Sequence, residues 1–448
     1  MSMNNPSLNE DSSQLRRVLG LPALVFFGLV YMVPLTIFTT YGIVTEVTGG
    51  RAASAYVITL AAMLFTAASY GLMVRRFPVS GSAYAYTSQA FGPNVGFLAG
   101  WSLLLDYLFL PMINYLLIGL SMNIAFPEVP AWVFVISAIA LVTVLNVMGI
   151  TSLARANNFI VVAQLIFIVV FVAMAVRGLS GEPVDLLRPL LGDDSQPGVA
   201  PLMAGAAILC LSFLGFDAVS TLAEEARDAK RMVPRAIMLT TLVAGALFFV
   251  LSYVSQLVFP ATTFADAEAA ANDVMLAAGG QFLASFFTAA YVAGSLGSAL
   301  VSQAAVSRIF YAMGRDKVLP NRFFGKLSRY GTPANAALMV SAISLVALVI
   351  SLELLASLIS FGALVAFSAV NLAVIRTHLF DASQPKNLLL HGLVPLIGLS
   401  LTLWLWTSLS STTLTLGISW FAVGLVYLLI LTRGFKRKVI LANLAKEA

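Results

Sequence analysis

Asp106 and Asp217 each sit deep in a long apolar run, and no lysine or arginine lies deep in any run to pair with them. A buried carboxylate is costly unless something compensates its charge. An ionisable residue at membrane depth is therefore a functional candidate by default. A bound ammonium group or a proton would complete the pair. Tyr31, Tyr41, Tyr107 and Phe216 fit the same chemistry, because hydroxyls and ring faces both attract a cation. Each residue also has a plain structural reading. Asp217 would cap backbone amides freed by a helix break, Asp106 would brace the kink at Pro111 or bond a hydroxyl, and Tyr107 would simply pack.

The elements that must position these groups are irregular. The first apolar run contains Tyr31-Met32-Val33-Pro34, followed by Thr36, Thr39, Thr40 and Tyr41. Pro34 lacks an amide hydrogen and clashes with the preceding turn. The sixth run contains Ser212-Phe213-Leu214-Gly215-Phe216-Asp217, where glycine weakens the helix. Open backbone at membrane depth survives only against protein or a water-filled cavity. The substrate-facing candidates are thus Tyr31, Pro34, Thr36, Thr39, Tyr41, Asp106, Tyr107, Ser212, Gly215, Phe216 and Asp217. A simple proline kink is the competing reading for the first run. Ser295, Ser298 and Ser302 share one helix face by their spacing. They are candidates for a sodium or proton site, against the common use of serine in close helix packing.

Composition decides the solvent. Of 448 residues, 60% are hydrophobic and 10% charged, with a mean hydropathy of +0.94. A soluble domain carries about 25% charged residues, so the chain belongs in a bilayer. Cys210 is the single cysteine, which excludes an internal disulfide. His378 and His391 are too few for a histidine metal site. No H-E-x-x-H, Walker loop or strand-flanked G-x-G-x-x-G is present. No catalytic residue, metal or cofactor is expected, and the chain does not read as an enzyme.

Runs of roughly 20 apolar residues predict about twelve transmembrane helices. Their limits are 19–47, 53–74, 97–126, 130–148, 158–176, 201–223, 236–259, 282–307, 334–351, 354–376, 388–407 and 413–432. The first is too long for the core of a cleaved signal peptide. With the N-terminus inside, 22 of the 25 lysines and arginines fall on the inner side; only Arg51, Arg177 and Arg188 fall outside. Both termini are therefore expected in the cytoplasm. The net charge of +5 needs no nucleic-acid partner. Glu182, Asp185, Asp193, Asp194, Asp266, Glu268 and Asp273 make the outer loops acidic, which would weakly attract a cation. Glu224 and Glu225, near Arg227, Lys230 and Arg231, read as a cytoplasmic salt-bridge network.

Interruptions in the first and sixth helices fit an all-α membrane fold of two inverted five-helix repeats, with solute held between the broken helices. The expected organisation is a tail over 1–18, a first repeat over 19–176, a second over 201–376, two further helices over 388–432 and a tail over 433–448.

Longer motifs carry a resemblance. The segment Phe77-Pro78-Val79-Ser80-Gly81-Ser82-Ala83-Tyr84-Ala85-Tyr86 is followed by Gly96-Phe97 and Gly100-Trp101. Phe213 to Val219 leads to Glu224-Glu225 and Pro234-Arg235-Ala236-Ile237. Ser307-Arg308-Ile309-Phe310-Tyr311-Ala312-Met313-Gly314-Arg315-Asp316 follows the eighth run. From about residue 15 to 435 the chain resembles the amino acid–polyamine–organocation superfamily, whose fold is LeuT-like. Leu105 to Asn114 and Phe361 to Phe367 are similar to bacterial putrescine importers. The resemblance implies Tyr107 as a substrate-recognition residue and Phe216 as an aromatic gate. Two positions depart from it. Pro34, without an adjacent glycine, leaves fewer backbone donors for a substrate carboxylate, which favours an amine. Thr39 stands where the putrescine importers have an aspartate, which argues against a dication.

The expected function is secondary active import of a small organic amine, putrescine or a related polyamine, across the bacterial inner membrane, driven by a proton or sodium gradient. An amino-acid permease of the same fold is the alternative. A channel would need repeated filter residues, and a membrane enzyme a cluster of catalytic groups at one depth; the sequence has neither.

Overall fold

A backbone in hydrocarbon must satisfy its own amides and carbonyls, which a helix does within one segment. In the computed structural model the described residues are 17–179, 184–193, 197–265, 267, 270–380, 387–407, 409 and 411–434. The outer-loop acids Glu182, Asp194, Asp266 and Glu268, and most of both tails, lie outside them. Among the described residues the elements are helices, with no strand beyond one isolated bridge between Leu19 and Ala226.

Eleven helices among the described residues are long and apolar enough to cross a membrane. Span 1 covers Leu21–Thr48, span 2 Ala52–Arg76, span 3 Pro93–Asn123, span 4 Ala131–Met148, span 5 Phe159–Leu179 and span 6 Ala200–Glu225. Span 7 covers Ala229–Val258, span 8 lies within Ala270–Arg315, span 10 covers Leu354–Leu379, span 11 Leu389–Trp406 and span 12 Ser411–Leu431. Span 9, over Ala334–Leu348, is shorter. Its α-helix ends at Ser344 and tightens into a 3-10 turn over Leu345–Leu348. Its length is roughly 25 Å, a little under a typical hydrocarbon thickness.

Two elements differ from the sequence expectation in extent. The eighth region, Ala270–Arg315, is two helices that meet at Gly279 and Gly280, where φ is −160° and +64°. The second of them carries Arg308 and Arg315 past the predicted limit at 307. A further helix, Ser82–Phe91, fills the loop between spans 2 and 3 and buries Tyr84 and Tyr86.

Burial sorts the helices into centre and rim. The apolar stretches of spans 1, 3 and 10 are 67% buried, against 22% for span 11 and 17% for span 12. Lipid-facing helices can stay apolar all round, so the rim helices need no polar face. Spans 4, 8 and 9 are fastened by amides and hydroxyls. Asn146 Nδ2 donates to Gln303 Oε1 at 2.8 Å, and Gln303 Nε2 donates to Ser341 Oγ at 2.5 Å. This network keeps its polar atoms bonded away from water, as a dry interior requires.

Candidate functional site

The backbone of span 1 leaves the helix at Val33, with φ +46° and ψ 91°. Pro34–Thr36 forms a 3-10 turn, and the helix resumes over Ile37–Thr48. Thr36 Oγ1 donates to the carbonyls of Val33 at 2.8 Å and Met32 at 3.2 Å. That hydroxyl satisfies carbonyls left at the break by the interrupted helix.

Span 6 departs from the helix at a facing position. Its α-helix Ala200–Leu209 tightens over Cys210–Phe213, and Leu214 is extended. Gly215 has φ +125°, and Asp217–Glu225 continues as 3-10 turns. Only glycine suits residue 215. A Cβ there would lie 2.3 Å from Tyr31 Cδ1 and in a conformation that L residues rarely adopt. The two irregular segments are thus in direct contact through Tyr31 and Gly215.

Asp217 is 1% exposed. Its Oδ2 accepts a 2.5 Å hydrogen bond from the Tyr107 hydroxyl, and its Oδ1 accepts from the Gly215 amide at 3.3 Å. Asp106 is equally buried, and its Oδ1 has no hydrogen-bond partner. Each carboxyl lies within electrostatic reach of the other and of the Tyr31 hydroxyl. That hydroxyl is also without a partner. The Tyr31 and Tyr107 rings are 6.1 Å apart. Among the described residues the ion pairs join Arg231 to Asp228, Arg308 to Glu225 and Arg315 to Glu224, so neither site aspartate has a cationic partner. The result is a dry, acidic cage with unfilled bonding capacity, suited to an ammonium group.

Phe216 directly precedes Asp217. Its ring is buried, stacks on Phe367 at 5.3 Å and meets Tyr70 edge-on at 5.8 Å.

Other predicted residues stand elsewhere. Tyr41 is buried but donates to Gln256 Oε1 at 2.9 Å and packs against Phe264, which ties span 1 to span 7. Thr39 is exposed and donates to the Thr36 carbonyl at 2.6 Å. The Ser212 hydroxyl is 3.4 Å from that of Tyr56. Ser298 Oγ donates to the Tyr31 carbonyl at 2.8 Å and accepts from Asn114 Nδ2 at 3.0 Å, which braces the end of the first helix of span 1. Ser295 is buried one turn away on the same helix.

Two further residues belong to this neighbourhood. Phe367 completes the aromatic layer; its signal was the Phe361 to Phe367 motif. Gln164 of span 5 is 1% exposed, and neither amide atom has a partner. It borders Gly294, which also faces Val33. Its only signal was an amide within the apolar run 159–176.

The Glu224–Glu225 end of span 6 is tightly bonded. Glu224 receives both Arg315 guanidinium nitrogens at 2.9 and 3.1 Å and the Ser80 amide at 3.0 Å. Buried Glu225 pairs with buried Arg308. The Glu225 carbonyl accepts from the amides of Val18 and Leu19, each at 3.0 Å. Tyr84 donates to Asp316 at 2.9 Å, and burial together with the Asp316 charge raises its hydroxyl pKa.

The amino acid permease family matches residues 23–434. The chain is 41% identical over 448 residues to the low-affinity putrescine importer PlaP of Escherichia coli (strain K12), which covers 97% of this chain and 98% of that protein. It is 27% identical over 444 residues to the branched-chain amino acid permease BcaP of Bacillus subtilis (strain 168), covering 94% of each. It is 26% identical over 450 residues to a methylthioribose transporter of Bacillus subtilis (strain 168), covering 94% and 95%.

Proposed function

Because the chain belongs to the amino acid permease family and is a multi-pass membrane transporter rather than an enzyme, we propose that it imports a small organic amine, putrescine or a related polyamine, as a secondary active carrier. The observation that carries this reading is the Asp106–Asp217 pair: two buried carboxyls with no cationic partner, beside unbonded oxygens of Asp106 and Tyr31. A substrate carboxylate would meet repulsion there, whereas an ammonium supplies the missing charge. The importer of Escherichia coli at 41% identity is named for such a substrate. Thr39, the position at which the chain departs from the putrescine importers, is exposed, and the two buried acids are present beside that departure.

In this reading Asp217 holds one ammonium end, oriented by the Tyr107 hydroxyl, and Asp106 serves as the second acceptor. Phe216 covers the solute. Spans 1–5 and 6–10 act as inverted repeats about the two irregular helices. Both termini and the 224–225 seal face the cytoplasm of the bacterial inner membrane, as the distribution of basic residues favours. A proton gradient drives uptake, because a proton is the other partner that can neutralise an aspartate when the amine has left.

Asp217→Asn tests the reading. It keeps the shape and the hydrogen bond from Tyr107 but removes the charge. Putrescine uptake in reconstituted vesicles is expected to fall by about 100-fold, as when a buried ion pair loses one member. Unchanged affinity and unchanged pH dependence would make Asp217 a structural cap and favour the alternative, an amino-acid permease.

A further inference from the structure

The chain has only two histidines, and the fold brings them together. His378 lies in a π turn, Ile375–Leu379, at the end of span 10. His391 lies in another, Leu389–Leu393, at the start of span 11. Their ring centroids are 4.6 Å apart, with the planes at 45°. The two turns approach closely enough that a Cβ on Gly392 would stand 3.3 Å from Leu379 Cδ1. π turns are rare and occur frequently at functional sites.

Hydrogen bonds fix the tautomer of His378. The Thr377 hydroxyl donates to the Ala373 carbonyl at 2.8 Å. Its one hydrogen is thereby spent, so it accepts from His378 Nδ1, 2.9 Å away. The Val374 carbonyl, 3.3 Å from the same nitrogen, is also an acceptor. Nδ1 therefore carries the hydrogen and Nε2 the lone pair. Metal-ligating histidines are held in this way, by the N–H on the far side of the ring. His391 is half-buried, and its Nδ1 is buried with no hydrogen-bond partner. A buried polar atom left unmet costs stability, and a nitrogen lone pair is met by a proton or by a metal ion.

We propose that the pair binds one divalent transition-metal ion (nickel, copper or zinc) through His378 Nε2 and His391 Nδ1. The spacing fits. A metal–nitrogen bond is about 2.1 Å and half a ring lies beyond it, so two imidazoles on one ion stand roughly 5 Å apart, centroid to centroid. Imidazole nitrogen suits these three metals. Among the described residues no third histidine, cysteine or carboxylate joins the pair, so water completes the coordination. The site is open and exchangeable, unlike the closed four-ligand site of a structural zinc. Two histidines are too few for the closed kind and sufficient for this one. The bound ion fastens span 10, at the centre of the fold, to span 11 at its rim. The inference stands apart from the amine-import reading, since it needs neither the solute nor an orientation in the membrane.

The test uses the full chain, purified in detergent through a tag without histidine. The Cys210→Ser background removes the one thiol. Calorimetric titration with nickel is expected to show one saturable site. Copper added at one equivalent should give the electron spin-echo pattern of two coordinated imidazoles. His391→Ala and His378→Ala should each abolish saturable nickel binding. Thr377→Val keeps both rings but removes the hydroxyl that orients one of them, and should weaken nickel binding by about tenfold. His378 is 7% exposed, so its loss could disturb folding; the copper spectrum needs no histidine variant and decides the matter by itself. A spectrum of one imidazole, or nickel binding that persists when both histidines are replaced, would overturn the paired site. Absence of saturable binding of both nickel and copper would overturn it outright.

Discussion

From Ala207 to Leu214, span 6 presents apolar side chains to an open cavity; from Asp217 to Glu225 it is bound to other segments by carboxylates, amides and carbonyls. Both stretches belong to span 6 and lie on either side of Gly215. The difference shows how a carrier can be biased to one side. Among the described residues the first half is held to span 2 only by the Thr59 hydroxyl on the Ala206 carbonyl and by the Tyr56–Ser212 hydroxyl contact, and its cavity face is apolar, so it is expected to move at lower cost. The inner half holds directional bonds that must be exchanged for water before it opens, and together they hold it shut. Gly215 lies between the two regimes, where the backbone can turn.

The largest expected effect breaks the sealed side. Arg308 and Glu225 have side chains only 5% and 3% exposed, so Arg308→Met strands a buried carboxylate. The loss should be about 3–5 kcal/mol, seen as poor membrane yield and a lower melting temperature in detergent. Arg308→Met with Glu225→Leu should recover most of it, because neither charge then remains buried. A single variant as stable as the parent would mean water already reaches this pair and the inner half is not sealed as described.

Next comes the pivot. Gly215→Ala pushes a Cβ into the Tyr31 ring and demands a left-handed backbone from alanine. Strain of about 1–3 kcal/mol should remove most uptake while leaving membrane expression near normal. Normal uptake would show that the turn at Gly215 tolerates a straighter helix and does not divide the two regimes.

Much of this division was legible in the sequence, and the illegible part has physical causes. Pro34 and Gly215 announced their irregularities because each alters the backbone itself. Asp106 and Asp217 were conspicuous because charge in an apolar run is rare. The extent of the eighth helix was not legible, since its polar inner end looks like loop to a hydropathy reading. Nor was Phe367's place against Phe216: one phenylalanine in an apolar run resembles any other until the fold sets it beside a partner. From the residues alone Tyr41 and Tyr107 looked alike, both aromatic and both beside candidate polar groups, and only the resemblance singled out Tyr107. Which face of its helix each one occupies depends on tertiary packing, and that separated them.

A smaller effect sharpens the comparison without unfolding anything. The Arg315–Glu224 pair is 25% and 20% exposed, so Arg315→Gln should cost under about 1 kcal/mol of stability. It should still raise the share of inward-open molecules by a few fold. The measurement is thiol labelling, from the side proposed to be cytoplasmic, of Ala83→Cys, buried on the Ser82–Phe91 helix, in the Cys210→Ser background. Equal labelling with and without Arg315 would mean that Arg308 and the backbone bonds to Val18 and Leu19 close this side alone.

The smallest effect sets Tyr41 against Tyr107. Each donates one hydrogen bond to a side-chain oxygen, so Tyr→Phe removes the same atom from both. The acceptors differ. Gln256 is neutral, and its Nε2 already donates to the Ala261 carbonyl; losing the Tyr41 bond should cost about 1 kcal/mol of stability and leave putrescine affinity unchanged. Asp217 is ionisable, buried and proposed to meet the solute, so Tyr107→Phe removes a bond that is charge-assisted whenever the amine is bound. Its penalty should appear in affinity or uptake rate, with little change in melting temperature if the amine takes over the vacated lone pair. The two variants thus exchange readouts: stability for Tyr41, transport for Tyr107. If Tyr41→Phe weakens putrescine binding as much as Tyr107→Phe does, the outer half of span 1 contacts the solute directly, and the cage must be extended from the Asp106–Asp217 pair to the Tyr41–Gln256 contact.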